Sequence, residues 1–257
     1  MKGGITLLIM NEVKVAEDII KGKIGEFSPA NVIGILSKYY TQIQNKSNKE
    51  IKNLIISCLI KNWKCINVSE WDSFIDKAIK NGDKYPINKV SKIPITKNEI
   101  DTIKKIPIKR QQKLAFAYLV MAKFNCIVNG STWVNESMDM VMKAANISWI
   151  NTSKRDYDIH DLYKMKLITL PKRIDKVNIK VEFIDMEGKE VFNVMSLKNL
   201  GKIWCYHESV DKKICIDCGN PFEVCGTARR TKVRCDECQH ERIKINNKIY
   251  KNDYKIH

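Results

Sequence analysis

The chain has 257 residues and an ordinary hydrophobic fraction of 44%, enough for two or three modest cores, which excludes a disordered polymer. Its 45 Lys and Arg against 29 Asp and Glu leave a formal charge of +16, which points to a polyanionic partner, nucleic acid before membrane. No apolar run approaches the roughly 20 residues of a spanning helix, so no membrane partner is expected and a cytoplasmic protein with reduced cysteines is.

Part of the lysine excess belongs to a bland surface, because the chain is crowded with Lys, Asn and Ile as AT-rich coding favours. The apolar stretch from Ile5 to Met10 is too short for a secretory core. Codons for Met1 to Gly4 can spell a ribosome-binding sequence, so Met1 and Met10 both stand as expected starts.

Residues 11–83 predict a helical domain. Ser47 and Glu50 form a capping box before Ile51, Leu54, Ile55, Cys58 and Leu59, which fall on one helical face. Ser69 and Asp72 predict a second box before Trp71, Phe74, Ile75, Ala78 and Ile79, with Asn81 and Gly82 as the stop. An earlier helix from Asn31 to Gln44 carries Ile35, Leu36, Tyr39 and Tyr40 inward. Cys58, Cys65 and Cys126 are expected as buried thiols in apolar runs. Residues 84–94 lose periodicity and read as a linker or an extended connection.

Residues 95–204 predict a second domain. Thr96 and Glu99 cap a short helix with Ile100, Ile103 and Ile106 inward, ended by Pro107. A longer, largely buried helix follows from Arg110 to Phe124. Then Glu136 to Ala145 suits a helix, Asn146 to Asn151 a turn, and Thr152 or Ser153 an N-cap for a helix running to Lys166. The period then changes to that of strands at Leu167 to Ile174 and Asn178 to Ile184, around a turn at Asp175 and Lys176. This order predicts a winged helix-turn-helix. Lys154, Arg155 and Lys164 lie on its recognition helix, and Lys172, Arg173, Lys176 and Lys180 on or near its wing, as candidate nucleic-acid contacts. Asp156, Asp158 and Asp161 on the same helix weigh against phosphate contact. The apolar piece from Val191 to Trp204 is expected to pack back onto this domain.

The strongest chemical pattern is last. Cys215 and Cys218, then sixteen residues, then Cys235 and Cys238 form two rubredoxin-like knuckles in a predicted zinc ribbon over 211–242, with Gly219 behind the first pair. Two disulfides or a redox pair are the alternatives, but no thioredoxin-type βαβ pattern surrounds either pair. The expected cofactor is one structural Zn2+ on Cys215, Cys218, Cys235 and Cys238, with Cys225 a spectator and His207 or His240 able to replace one ligand. Arg229, Arg230, Lys232 and Arg234 between the knuckles are candidate phosphate contacts on an exposed turn or strand, with Phe222 covering the site. Residues 243–257 read as a basic tail, helical at its start. The overall expectation is a mainly α chain with a small β component.

Lys84 to Pro86, Ile93 to Thr96, the Leu114 to Phe124 helix, Trp133 to Asn135 with Ala145 to Ile147, and the Cys-x2-Cys-Gly ribbon resemble a group of uncharacterised proteins of clostridial and related Firmicutes phages and mobile elements. Residues 31–82 also resemble the small helical C-terminal modules of plasmid and phage primases and replication proteins. The resemblance implies an accessory DNA or RNA transaction in a bacterial host cytoplasm and supplies no catalytic residue. No phosphate loop, dinucleotide fingerprint, HExxH array or GxSxG elbow is present, so an enzyme is not expected. Two functions remain. One is a nucleic-acid-binding protein, with double-stranded DNA as ligand, in transcription control or replication. The other is a protein that docks on a host polymerase or defence nuclease complex and modulates it.

Overall fold

The structure is a computed structural model and describes residues 9–253 apart from 26, 64, 149–151, 172–177, 209–211, 220 and 225–230. They fall into two compact units, one ending at Ser91 and the other beginning at Lys92. Helices dominate both and the sheets are small, in line with a mainly α chain carrying a minor β component.

The first unit contains α1 (Glu12–Ile20), α2 (Pro29–Gln42), α3 (Asn48–Asn62) and α4 (Val68–Lys80). α2 packs against each of the others. It starts earlier than its apolar pattern suggested because Ser28 and Asn31 form a reciprocal capping box and Pro29 presets the first helical φ. α3 has the predicted box between Ser47 and Glu50, and it buries Ile51, Ile55 and Leu59 with Leu54 and Cys58 at the margin.

α4 departs from expectation. Its N-cap is Asn67 and not Ser69, no side chain caps it, and Asn67 instead donates to Glu70 Oε1 at 2.9 Å. Phe74 lies outward, one position and so about 100° around the helix from the buried stripe of Ile75 and Ile79, and meets Trp71 edge-on at 5.8 Å. Cys65 is exposed, not buried, because α3 ends at Asn62 and leaves it in a connection; Cys58 and Cys126 are half-buried. The stretch 84–94 is docked for most of its length. Glu12 N–H donates to Asn88 O, Val90 N–H donates to Met10 O, and Ile87 joins the core.

In the second unit, β1 (Ile93–Thr96) leads into α5 (Lys97–Lys104) through the Thr96 and Glu99 capping box. α6 (Lys109–Asn129) is the central helix, buried continuously from Leu114 to Asn125, and Gly130 stops it at φ 73°. That left-handed cap explains why it outruns the predicted end at Phe124. β5 (Glu190–Val194) pairs antiparallel with β1, and α9 (Leu200–Glu208) lies against α6. The apolar piece before Trp204 therefore does pack back: Trp204 is fully buried, donates to Gln112 Oε1 at 3.2 Å and sits 5.4 Å from the Phe116 ring.

Between these elements run β2 (Trp133–Val134), α7 (Met138–Ala144), α8 (Thr152–Lys164), β3 (Ile168–Thr169) and β4 (Ile179–Val181). β4 lies between β2 and β3 in a three-stranded antiparallel sheet, with Trp133 opposite Lys180 and Ile168 opposite Val181. The two predicted strands thus pair antiparallel, but shorter than expected, and the turn at Asp175 and Lys176 lies outside the described residues. The chain closes with the antiparallel pair β6 (Lys212–Ile214) and β7 (Pro221–Glu223), then α10 (Asp236–Asp253). Among the described residues no helix is long and apolar enough to cross a membrane.

Candidate metal centre and its surroundings

The sulfur atoms of Cys215, Cys218, Cys235 and Cys238 all lie within 4.8 Å of one another, with Cys218 and Cys235 at 3.7 Å. Four thiolates around an ion with metal–sulfur bonds of about 2.3 Å would stand about 3.8 Å apart at tetrahedral corners, so the cluster is already the size of a metal site. The residues fit the group.

The two pairs are built differently, which corrects the expectation of two matching knuckles. Cys215 and Cys218 sit on the turn that joins β6 to β7. Gly219 follows at φ 69° and donates its N–H to Cys215 O at 2.9 Å, a conformation that suits glycine. Cys235 and Cys238 belong instead to the start of α10, where Gln239 N–H donates to Cys235 O at 3.0 Å. A helix N-terminus presents unpaired N–H groups and favours thiolates. Aspartate and glutamate directly after Cys235 are good first-turn residues, which explains why a helix begins there.

Burial raises the Cys215 thiol, but the N–H groups of Cys235, Cys218 and Asp217 outweigh it and bring the thiol down to about 7. Burial and the neighbouring Cys235 and Cys218 sulfurs push Cys238 strongly upward. Four sulfurs this close resist joint ionisation, and a divalent cation would remove the conflict. Cys215 and Cys235 are buried with Phe222 and Val224, while Tyr206 packs against the cluster from α9. Phe222 thus covers the site as predicted. His207 is turned elsewhere, stacked on Phe192 at 4.4 Å, and His240 is exposed on α10, so the described cluster consists of the four cysteines. Cys225 lies outside the described residues.

The candidate phosphate contacts are dispersed by role. Arg229 and Arg230 lie outside the described residues, as do Lys172, Arg173 and Lys176. Lys232 Nζ contacts Asp236 Oδ1 at 2.6 Å and lies 5.9 Å from the Phe222 ring centre. Arg234 Nε donates to Asp217 Oδ2 at 2.7 Å across the cluster, and Lys180 pairs with Glu182 at 2.9 Å. Three cations expected to meet phosphate therefore have acidic partners within the fold. Lys164 is exposed at the end of α8, and Lys154 and Arg155 belong to its first turn, where only the backbone is described.

The acidic residues of α8 are not where the sequence suggested. Ile159 and Leu162 are buried and define the inner face. Asp158 and Asp161 flank that face and turn toward α6. Gln111 donates to Asp161 Oδ2 at 2.8 Å, and Arg110 Nε stands 2.7 Å from Asp158 Oδ2 although its N–H does not point along the contact. The outer face carries Asp156, Tyr157, His160, Tyr163 and Lys164, with Tyr157 67% and Tyr163 47% exposed. Sequence reasoning missed both tyrosines; the signal was their position opposite Ile159 and Leu162.

Comparison of the chain with protein-family models, with curated proteins and with solved structures finds no match.

Proposed function

We propose that this is a nucleic-acid-binding protein of phage or mobile-element type, acting in transcription control or replication on double-stranded DNA, and that it is not an enzyme. The observation that carries the reading is the element order α6, β2, α7, α8, β3, β4 with β4 between β2 and β3. That order supports a winged helix-turn-helix in which α8 is the recognition helix and the β3–β4 hairpin the wing. Two further observations support it. The second unit holds 31 Lys and Arg against 20 Asp and Glu, and α8 directs two of its three carboxylates inward to Arg110 and Gln111, so they oppose a polyanion less than the bare sequence implied.

In this reading Cys215, Cys218, Cys235 and Cys238 hold a structural Zn2+. Four soft sulfur donors at near-tetrahedral separation suit zinc, and a closed four-ligand site folds a module without leaving a coordination position for chemistry.

A second reading, docking on a host polymerase or defence nuclease complex, draws on the ion pairs that occupy Lys180, Lys232 and Arg234 and on the two exposed tyrosines of α8. Binding of the full chain to a set of labelled duplexes separates them. Tyr157→Ala with Lys164→Ala should weaken binding and change the order of preference among duplexes. Unchanged preference would remove α8 from a DNA groove; absence of duplex binding by the unaltered chain would favour the docking reading.

A further inference from the structure

We propose that the metal centre positions the end of α7 against the start of α9 through a hydrogen-bonded clasp, so that metal occupancy sets how firmly that junction is held. The inference rests on the reading of the four cysteines as a metal site.

The clasp begins beside a ligand. Glu237, adjacent to Cys238 in the first turn of α10, accepts from Asn199 Nδ2 at 2.9 Å and from Lys202 Nζ at 3.4 Å. Asn199 stands immediately before α9, and its Oδ1 accepts from Asn146 Nδ2 at 2.9 Å. Asn146 lies at the end of α7, where the chain turns toward α8, and its own Oδ1 accepts the Lys202 N–H at 3.1 Å. Asn146 thereby caps the start of α9 while Asn199 ties that same start to α10. Both asparagines hold left-handed backbone, at φ 53° and 57°, a conformation that asparagine tolerates and most residues resist.

The approach is close enough to transmit a displacement. A Cβ on Gly201 would fall 1.7 Å from the Ala145 carbonyl oxygen, so α9 rests directly on the end of α7. The other cysteine pair grips the same segment, since a Cβ on Gly219 would come within 2.9 Å of Met195 Cγ. Both halves of the metal site thus touch the 195–202 strap, and that strap holds the α7 terminus. An ion fixes the β6–β7 turn against the start of α10; without it, the two grips are no longer held in register. Local opening then becomes cheaper along the strap and the turn.

Hydrogen exchange of the full chain, reduced, with and without a chelator, tests this. Removing metal should speed exchange of the Ile147, Lys202 and Ile203 amides about tenfold or more, while amides of the α6 centre stay protected. Asn199→Gly and Glu237→Ala keep the permissive backbone and all four ligands. Each should still bind one divalent ion, read by the thiolate absorption of Co2+, yet show fast exchange at those three amides even when loaded. If metal removal frees Gly219 and Gln239 but leaves the three amides unchanged, or if both variants match the unaltered chain when loaded, the clasp is wrong. Failure to bind Co2+ at all would overturn the metal reading itself and the clasp with it.

Discussion

Lys123 sits at the centre of a helix that is otherwise apolar on nearly every side. It is fully buried, as is Glu99, and its ammonium donates to both Glu99 oxygens at 2.8 and 3.0 Å and to Asp185 O at 2.9 Å. Glu99 also accepts from the Thr96 and Asp185 N–H groups, at 2.8 and 2.9 Å. A pair this well satisfied need not outperform an apolar pair, but removing one member strands the other. Lys123→Met should cost about 3–5 kcal/mol in urea unfolding, and Lys123→Met with Glu99→Leu should recover part of that loss. Equal loss in the single and double variants would mean that the pair contributes only through its shape. The cysteines offer a second test at this scale. Cys65 is exposed, whereas burial raises the Cys58 thiol against a weaker opposing contact from Asn62 and Lys61. Alkylation near neutral pH, followed by peptide mass mapping, should modify Cys65 well before Cys58. The reverse order would contradict the placement of α3.

At the scale of elements, α9 packs directly on the end of α7 at Gly201. Gly201→Ala would drive a methyl group into a backbone carbonyl and should destabilise the second unit by about 1–3 kcal/mol, measured by thermal unfolding. A neutral result would mean that α9 can shift. What the sequence made legible here follows from locality. The boxes at Ser47 and Thr96 are contained in four residues each and form as read. The box at Ser69 does not form: α4 already starts after Asn67, Ser69 Oγ donates back to Asn67 Oδ1 at 2.9 Å, and Asp72 pairs with Lys52 at 2.8 Å. The cysteine spacing identified four clustered sulfurs, yet it did not reveal that Cys235 and Cys238 open a helix, since two residues between cysteines suit a turn and a first helical turn alike. The inward rotation of Asp158 and Asp161 depends on partners 47 and 50 positions earlier, at Gln111, which no local pattern encodes. The antiparallel pairing of β1 with β5 is of the same non-local kind.

At the scale of the whole molecule, positive charge is spread almost evenly, with 14 Lys and Arg against 9 Asp and Glu up to Ser91 and 31 against 20 beyond it. Several of the later cations are spent inside the fold, as Arg234 on Asp217 and Lys232 on Asp236. These pairs are partly exposed and individually weak, so they should compete with phosphate and not abolish contact. Replacing Lys232 and Arg234 together with Arg229 and Arg230 should therefore change the binding by less than four free cations would. The account is tested most directly by titrating the intact, reduced chain with duplex DNA at several salt concentrations. It predicts that the logarithm of the binding constant falls linearly with the logarithm of salt, and that the four-cation variant has a shallower slope, by less than about 3.6 units. Salt-independent binding, or no binding to duplex at low salt, would contradict it.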